Sequence, residues 1–281
     1  MSAIQRAIDL HSAIHNKGWA SQTPNTETEG HAQDHPSVAK VGVTGNHRNS
    51  NHLVQDIKWE DLPFTYKWNS LGLRGPEPDF SALRKLMVVG NSMTIGQGVP
   101  LEDTWVHLLA QDLNMDYINL SEYFVLTDSL ERLAELAHYE PNILIICTGR
   151  FFTGLDMMAG YATRNLDKDK DSVIIENSMA VIRNTNKTLM QTFELAVKQL
   201  YPKTKIFWMT NERTINERHQ FKRMRDPFAG TEVWQNISSP VIEIEPKKDY
   251  VDLARDNIHG GPRSHKIVKD KILNVIQSTT F

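Results

Sequence analysis

The sequence predicts a three-layer α/β domain on a mostly parallel five-stranded sheet. Three observations carry this. From Leu53 onward short apolar runs alternate with helical patterns. Asn142–Gly149 is apolar at consecutive positions, as in a central strand covered on both faces. The chain then closes on an amphipathic helix.

In order, Lys85–Gly90 (KLMVVG) is a strand ending on glycine, followed by a turn and a helix over Thr104–Leu113. Tyr117–Leu120 is the second strand, and Asp128–His138 a helix with Leu130, Leu133, Ala134 and Ala137 on one face. Asn142–Gly149 is the third strand; Glu176–Leu200 is a long helix stopped by Tyr201-Pro202. Lys205–Thr210 and Val241–Ile244 are the fourth and fifth strands. His265–Ile276 is the last helix, with Ile267, Val268, Ile272 and Val275 facing inward. No internal repeat is visible.

Residues 1–52 are of another kind. Ile4, Ala7, Ile8, His11 and Ile14 recur at helical spacing and predict a short amphipathic helix. Lys17–His52 is rich in Asn, Thr, Ser, Gly and His, and such a segment buries too little to offset its ordering entropy. The division is therefore a polar N-terminal tail over 1–52 and an α/β domain over 53–281. His31, His35, His47 and His52 lack a Cys or carboxylate set at ligand spacing, so a solvated tail is expected and no metal. An ordered tail needs the body or a partner chain to hold it, which makes it the place for a protein partner or self-association.

At 281 residues the chain is long enough for one large domain or two small ones. Lys+Arg total 31 against Asp+Glu 34, a balance that argues against nucleic-acid binding. One cysteine, Cys147, excludes a disulfide-stapled scaffold. The longest apolar stretch, Ile143–Cys147, is far short of the ~20 residues that span a bilayer. No apolar signal-peptide core is visible at the N-terminus, so a soluble, cytoplasmic setting is the expectation.

Functional groups of parallel α/β sheets gather beyond the carboxyl ends of the strands. Gly90-Asn91-Ser92 lies at such an end, and Asp256-Asn257-Ile258-His259 lies in the loop before the last helix. A serine hydroxyl is a weak nucleophile unless an imidazole takes its proton, and the imidazole needs a partner to fix its tautomer. Asp and His three positions apart can supply orienter and base from one loop. Each piece alone is common; their joint placement after the first strand and before the last helix is the signal. Glycine-rich phosphate motifs are missing between Gly90 and Gly98, which disfavours a nucleotide.

VVGNSMTIGQGVPLEDTW resembles the first block of the SGNH (GDSL-type) hydrolases, roughly G-D-S-x-T-x-G-x-G. DNIHGGPRSHKIVKDKI resembles their last block, and WNSLGLRGPE (Trp68–Glu77) is similar to an N-S-x-G-x-R-x-x-E lead-in of one branch. The resemblance spans about Tyr66–Ile276. It implies a flavodoxin-like three-layer sandwich and carboxylic-ester hydrolysis without cofactor or metal. Ser92 matches the nucleophile, His259 the general base and Asp256 its orienter.

The middle blocks depart from the pattern. Where the family has N-x-x-x-x-G, this chain has Asn119 through Phe124, with Phe124 at the glycine position. Where it has G-x-N-D, this chain has Gly149-Arg150-Phe151-Phe152, so the Asn amide that would donate to the oxyanion is gone. Losing one such donor costs about 10²–10³ in rate. Asn91 in place of Asp is milder, since the amide keeps the shape. The substitute donors considered are the Ser92 N–H, then Arg150, Ser121, Thr148 and Gly149.

Each residue also has an ordinary role to set against this. Ser92 is a favourable helix N-cap, Asp256 an ordinary loop carboxylate, His265 a helix-start residue and Cys147 an inert strand residue. Phe151 and Phe152 pack under a loop or line an acyl pocket. Glu212–Ser238, with Arg213, Arg218, Lys222, Arg223 and Arg225, is a solvated loop or a lid over an anionic group. The expected function is a serine esterase or O-deacylase acting through an acyl-enzyme on a small ester or an acylated glycan or lipid. The same triad can pass the acyl group to an alcohol. The alternative is a weak or inactive protein of this fold that serves as a binding or structural component.

Overall fold

The computed structural model describes residues 25, 27–28, 65–90, 92–121, 126–148, 188, 190–211, 237–255 and 259–279. Strands β3 (Lys85–Val89), β4 (Asp116–Leu120), β5 (Ile143–Thr148), β6 (Lys205–Asn211) and β7 (Val241–Ile244) form one sheet in the order β4-β3-β5-β6-β7. Every neighbouring pair is parallel. This is the flavodoxin-like order, and its switch point lies between β3 and β5, where chain direction across the sheet reverses.

Period-two geometry divides each strand between two cores. Met87, Val89, Ile118, Leu144, Ile146 and Trp208 face α3 (Leu126–Glu135) and α4 (190–200), meeting Leu133, Phe193 and Val197. Leu86, Val88, Ile145, Phe207 and Ile242 face α2 (Trp105–Leu113) and α6 (Pro262–Thr279), which follows the one-turn α5 (Pro246–Asp249), meeting Trp105, Leu109, Val268 and Ile272. Continuous apolar runs are thus what a sheet buried on both faces requires. A fully buried Leu or Val contributes roughly 1.5–3 kcal/mol over an exposed one.

Some elements differ from expectation in instructive ways. Asp116 joins β4 because its carboxylate accepts the Tyr139 hydroxyl at 2.7 Å and the Asp79 N–H at 3.0 Å. The α3 pattern ends one turn early in a 3₁₀ turn over Ala137–Tyr139, which leaves Ala134 exposed and buries Leu136 and Tyr139. The last helix starts at Pro262, three residues before His265, because Asp252 caps it from outside: its carboxylate accepts the Arg263 and Ser264 N–H groups at 2.9 Å.

Three residues of the polar segment are laid on the body. β1 (Glu27–Thr28) pairs antiparallel with β2 (Tyr66–Lys67), and the Asn25 N–H donates to Asn69 O at 3.2 Å. Backbone pairing asks for no apolar side chains, so composition carried no trace of it. The expected helix around Ile4–Ile14, the first part of the 176–200 helix and the basic stretch over 212–236 lie outside the described residues. No helix among the described residues is long and apolar enough to cross a membrane.

Candidate active site

Ser92 opens α1 (Ser92–Ile95), a single turn just past the carboxyl end of β3 and beside the switch point. Met93, Thr94 and Ile95 are buried, while Ser92 itself is half-buried. The turn is braced from β4: Asn119 Nδ2 donates to Thr94 O at 3.1 Å. Beyond it, the Gln97 N–H donates back to Ser92 O at 2.9 Å.

His259 reaches the same place from the other end of the chain. Leu253 and Gly260 form an antiparallel bridge, and the Ala254 N–H donates to His259 O at 2.9 Å. Ser264 Oγ accepts the Val251 N–H at 2.9 Å and donates to Asp252 Oδ1 at 2.5 Å, so the start of α6 and the start of the loop are one unit. Gly260 permits the close approach: a Cβ there would lie 2.8 Å from Ser264 Cβ and 3.4 Å from Met93 Cε. The loop therefore packs against the residue next to Ser92.

The outcome is a contact of 2.7 Å between Ser92 Oγ and His259 Nε2, across 167 positions of sequence. His259 is buried. If the other ring nitrogen carries the proton, Nε2 accepts the serine hydroxyl, the arrangement a general base needs. Asp256 lies outside the described residues, as do Asn91, Gly149, Arg150, Phe151 and Phe152. Asp252, the nearest described acid in sequence, directs its carboxylate to the α6 terminus.

The predicted oxyanion donors fare differently. Ser121 is buried at the end of β4, but both its N–H, at 3.2 Å, and its hydroxyl donate to Asn119 Oδ1. Thr148 ends β5, two positions past Ile146, which is in register with Val89, so its backbone belongs to the rim that carries Ser92.

Burial sets the electrostatics around the pair. His265 is 1 % exposed, and burial, with the charge of Arg74 and the nearby His259, pulls its pKa down to about 3. As a neutral ring it accepts the Trp105 N–H on Nδ1 at 3.0 Å, tying α6 to the start of α2. Cys147, on the same strand as Thr148, is buried and its thiol is pushed up to about 12, which leaves it inert beside the serine. No group of three or more metal-ligating side chains occurs among the described residues.

Sequence reasoning missed the parts that hold the pair. Asp252 and Ser264 anchor the His259 loop, and Arg74 lies under α1. Only Arg74 had a signal, its place in the lead-in motif.

No family model and no curated protein matches the sequence. Among solved structures the chain is similar to a family two carbohydrate esterase from Clostridium thermocellum in complex with cellohexaose: 14% identity, 73% of this chain, 66% of that one, TM-score 0.42. The chain thus spans just under two thirds of that protein's length. It is also similar to a carbohydrate esterase family 2 enzyme with a carbohydrate-binding domain from Corynascus thermopiles (Myceliophthora fergusii): 12% identity, 77% and 72% coverage, TM-score 0.44. An extracellular lipase from Streptomyces rimosus is similar at 12% identity, over 70% of this chain and 100% of that one, with TM-score 0.46.

Proposed function

We propose that this chain is a serine ester hydrolase of SGNH type, an esterase or O-deacylase working through an acyl-enzyme on Ser92. The observation that carries it is the 2.7 Å contact between Ser92 Oγ and His259 Nε2 at the carboxyl ends of a parallel sheet. Ser92 Oγ attacks the ester carbonyl carbon as its proton passes to His259 Nε2. The tetrahedral intermediate collapses, the C–O bond to the alcohol breaks, and His259 returns the proton to the leaving oxygen. Water repeats the sequence on the acyl-enzyme and frees the acid. Asp256 is assigned to orient His259 from three residues away. The oxyanion is assigned to the Ser92 N–H with Thr148, Gly149 or Arg150. The substrate class is a small ester or an acylated glycan or lipid. The cytoplasmic setting belongs to the same reading.

One observation favours a second reading, a protein of this fold with little turnover that acts as a binding component. Asn119 engages both Ser121 donors, and position 151 is Phe, so two expected sources of oxyanion stabilisation are spent or missing. A fluorophosphonate serine probe separates the two. Wild type is expected to label, and Ser92→Ala is expected not to. A folded wild-type protein that does not label, or a mutant that labels equally, supports the second reading.

A further inference from the structure

We propose that Arg74 is a positioning residue that sets the distance between Ser92 and His259. This rests on the reading of these two as nucleophile and base. Arg74 is 1 % exposed and lies below α1. Its guanidinium donates to three backbone carbonyls of the turn that follows Ser92: Ile95 O at 2.8 Å and Gly96 O at 2.6 Å from Nη1, and Val99 O at 2.5 Å from Nη2. It also stands 4.2 Å over the Tyr66 ring. A buried guanidinium is costly unless its donors are met, and its planar fork suits several fixed acceptors at once. Here the acceptors belong to one turn, so the charge and the shape of that turn are locked together.

The turn is also where the two halves of the site meet. The Gly98 N–H donates to the Tyr66 hydroxyl at 2.6 Å, and Gly98 O accepts the Arg255 N–H at 3.0 Å. Arg255 follows Ala254, whose N–H holds His259 O. From Ser92 one passes through Gln97 and Gly98 to Arg255, Ala254 and His259 by three backbone hydrogen bonds and the peptide links between neighbours. Gly96 lets Arg74 in: its φ is +76°, and a Cβ there would stand 3.2 Å from Arg74 Nη1 and 2.3 Å from Thr104 Cγ2. If Arg74 lets go, the turn that both partners hang from is free to shift, and a shift near 1 Å is enough to cost about 10²-fold in a reaction that depends on alignment.

The test compares wild type with Arg74→Lys, which keeps the charge but cannot fork to three carbonyls, and with Tyr66→Phe, which removes the acceptor for Gly98 and keeps the ring. The first readout is the ¹⁵N spectrum of the His259 ring, assigned with His259→Ala and referenced to Ser92→Ala, in which the contact is gone. The second is the rate of fluorophosphonate labelling, with the melting temperature as control. The expected result is a His259 Nε2 shift moved toward the Ser92→Ala value and labelling slower by roughly 10–100-fold, in protein that is still folded. Tyr66→Phe is expected to move both readouts the same way by a smaller step, and Arg74→Gln, which keeps a forked donor without the charge, decides the matter if Arg74→Lys does not fold. A folded variant whose His259 spectrum equals wild type overturns the clamp, whatever the labelling. Absence of labelling in wild type overturns the nucleophile reading instead, and the ring spectrum still decides whether Arg74 sets the pair.

Discussion

In the middle of the sheet, Leu86, Met87, Leu144 and Ile145 are sealed between helices, whereas around the site the buried side chains include the polar Arg74, Asn119, Asp252, Ser264 and His265. The interior holds by area removed from water, which is tolerant of direction. The rim holds by hydrogen bonds with fixed partners, which is not: Arg74 has three carbonyls and Asp252 has two N–H groups and a hydroxyl. The interior therefore contributes stability alone, and the rim contributes stability and site geometry together. Interior substitutions should change only how much protein is folded; rim substitutions should change what the folded protein does as well.

The largest effect is expected from Leu144→Ala, in the fully buried centre of β5. It should cost about 2–5 kcal/mol in urea unfolding, by transfer and cavity terms together. Labelling of Ser92 per folded molecule should stay at the wild-type rate. A labelling defect beyond the loss of folded protein would break the separation.

His265 sharpens it through pH. Its folded pKa, about 3, lies below the ordinary imidazole value of about 6.5. Between those values the unfolded chain binds the extra proton, so stability rises with pH across that window. Its contribution is in full force above about 6.5 and is lost as pH falls toward 3, on the order of a few kcal/mol in total. His265→Asn keeps an acceptor for the Trp105 N–H and removes the titration. Unfolding curves at pH 7, 5 and 4 should therefore fall less steeply for the variant. Equal slopes would show that His265 protonates as readily folded as unfolded.

Asp252→Ala comes next. It strips the start of α6 of its carboxylate acceptor and is expected to cost about 1–3 kcal/mol. Because the same carboxylate anchors the loop that carries His259, labelling should also slow. A loss of stability alone would make the rim an ordinary helix cap.

The smallest effect is expected at the other end of the sheet, where Glu194 on α4 accepts the Ser238 and Ser239 N–H groups at 3.3 and 3.0 Å just before β7. Burial raises its pKa, but hydrogen bonds from Ser239, Lys198 and Ser238 outweigh this and hold it below the usual range. Its contribution is present above the unfolded Glu value of about 4.3 and is lost as pH falls through the lower folded value. Glu194→Gln should cost roughly 1 kcal/mol at pH 7, less at pH 3.5, and leave labelling untouched.

The same contrast explains what could be read in advance. Strands β3 and β5 stand out in sequence because consecutive apolar residues have no other use in a chain of this composition. Ser92 and His259 were legible because local motifs carry them, at ends of the chain that a parallel sheet brings together. The rim was not legible, because its logic is long-range. Nothing near Pro262 says that Asp252 caps it, nothing near Asp116 announces Tyr139, and nothing in Glu27–Thr28 foretells an edge against Tyr66–Lys67. A polar residue in sequence is a question that only its distant partner answers. Ser121, offered as an oxyanion donor by its place after β4, has its donors taken by Asn119 two residues earlier.

The central claim, that Ser92 and His259 act as a nucleophile and its base, is tested most directly by hydrolysis of p-nitrophenyl acetate by wild type beside Ser92→Ala, both verified as folded. Wild type should turn over the ester, and kcat/KM should fall by at least about 10³-fold in the mutant, since without the serine no acyl-enzyme can form. Turnover that survives intact in Ser92→Ala would contradict it.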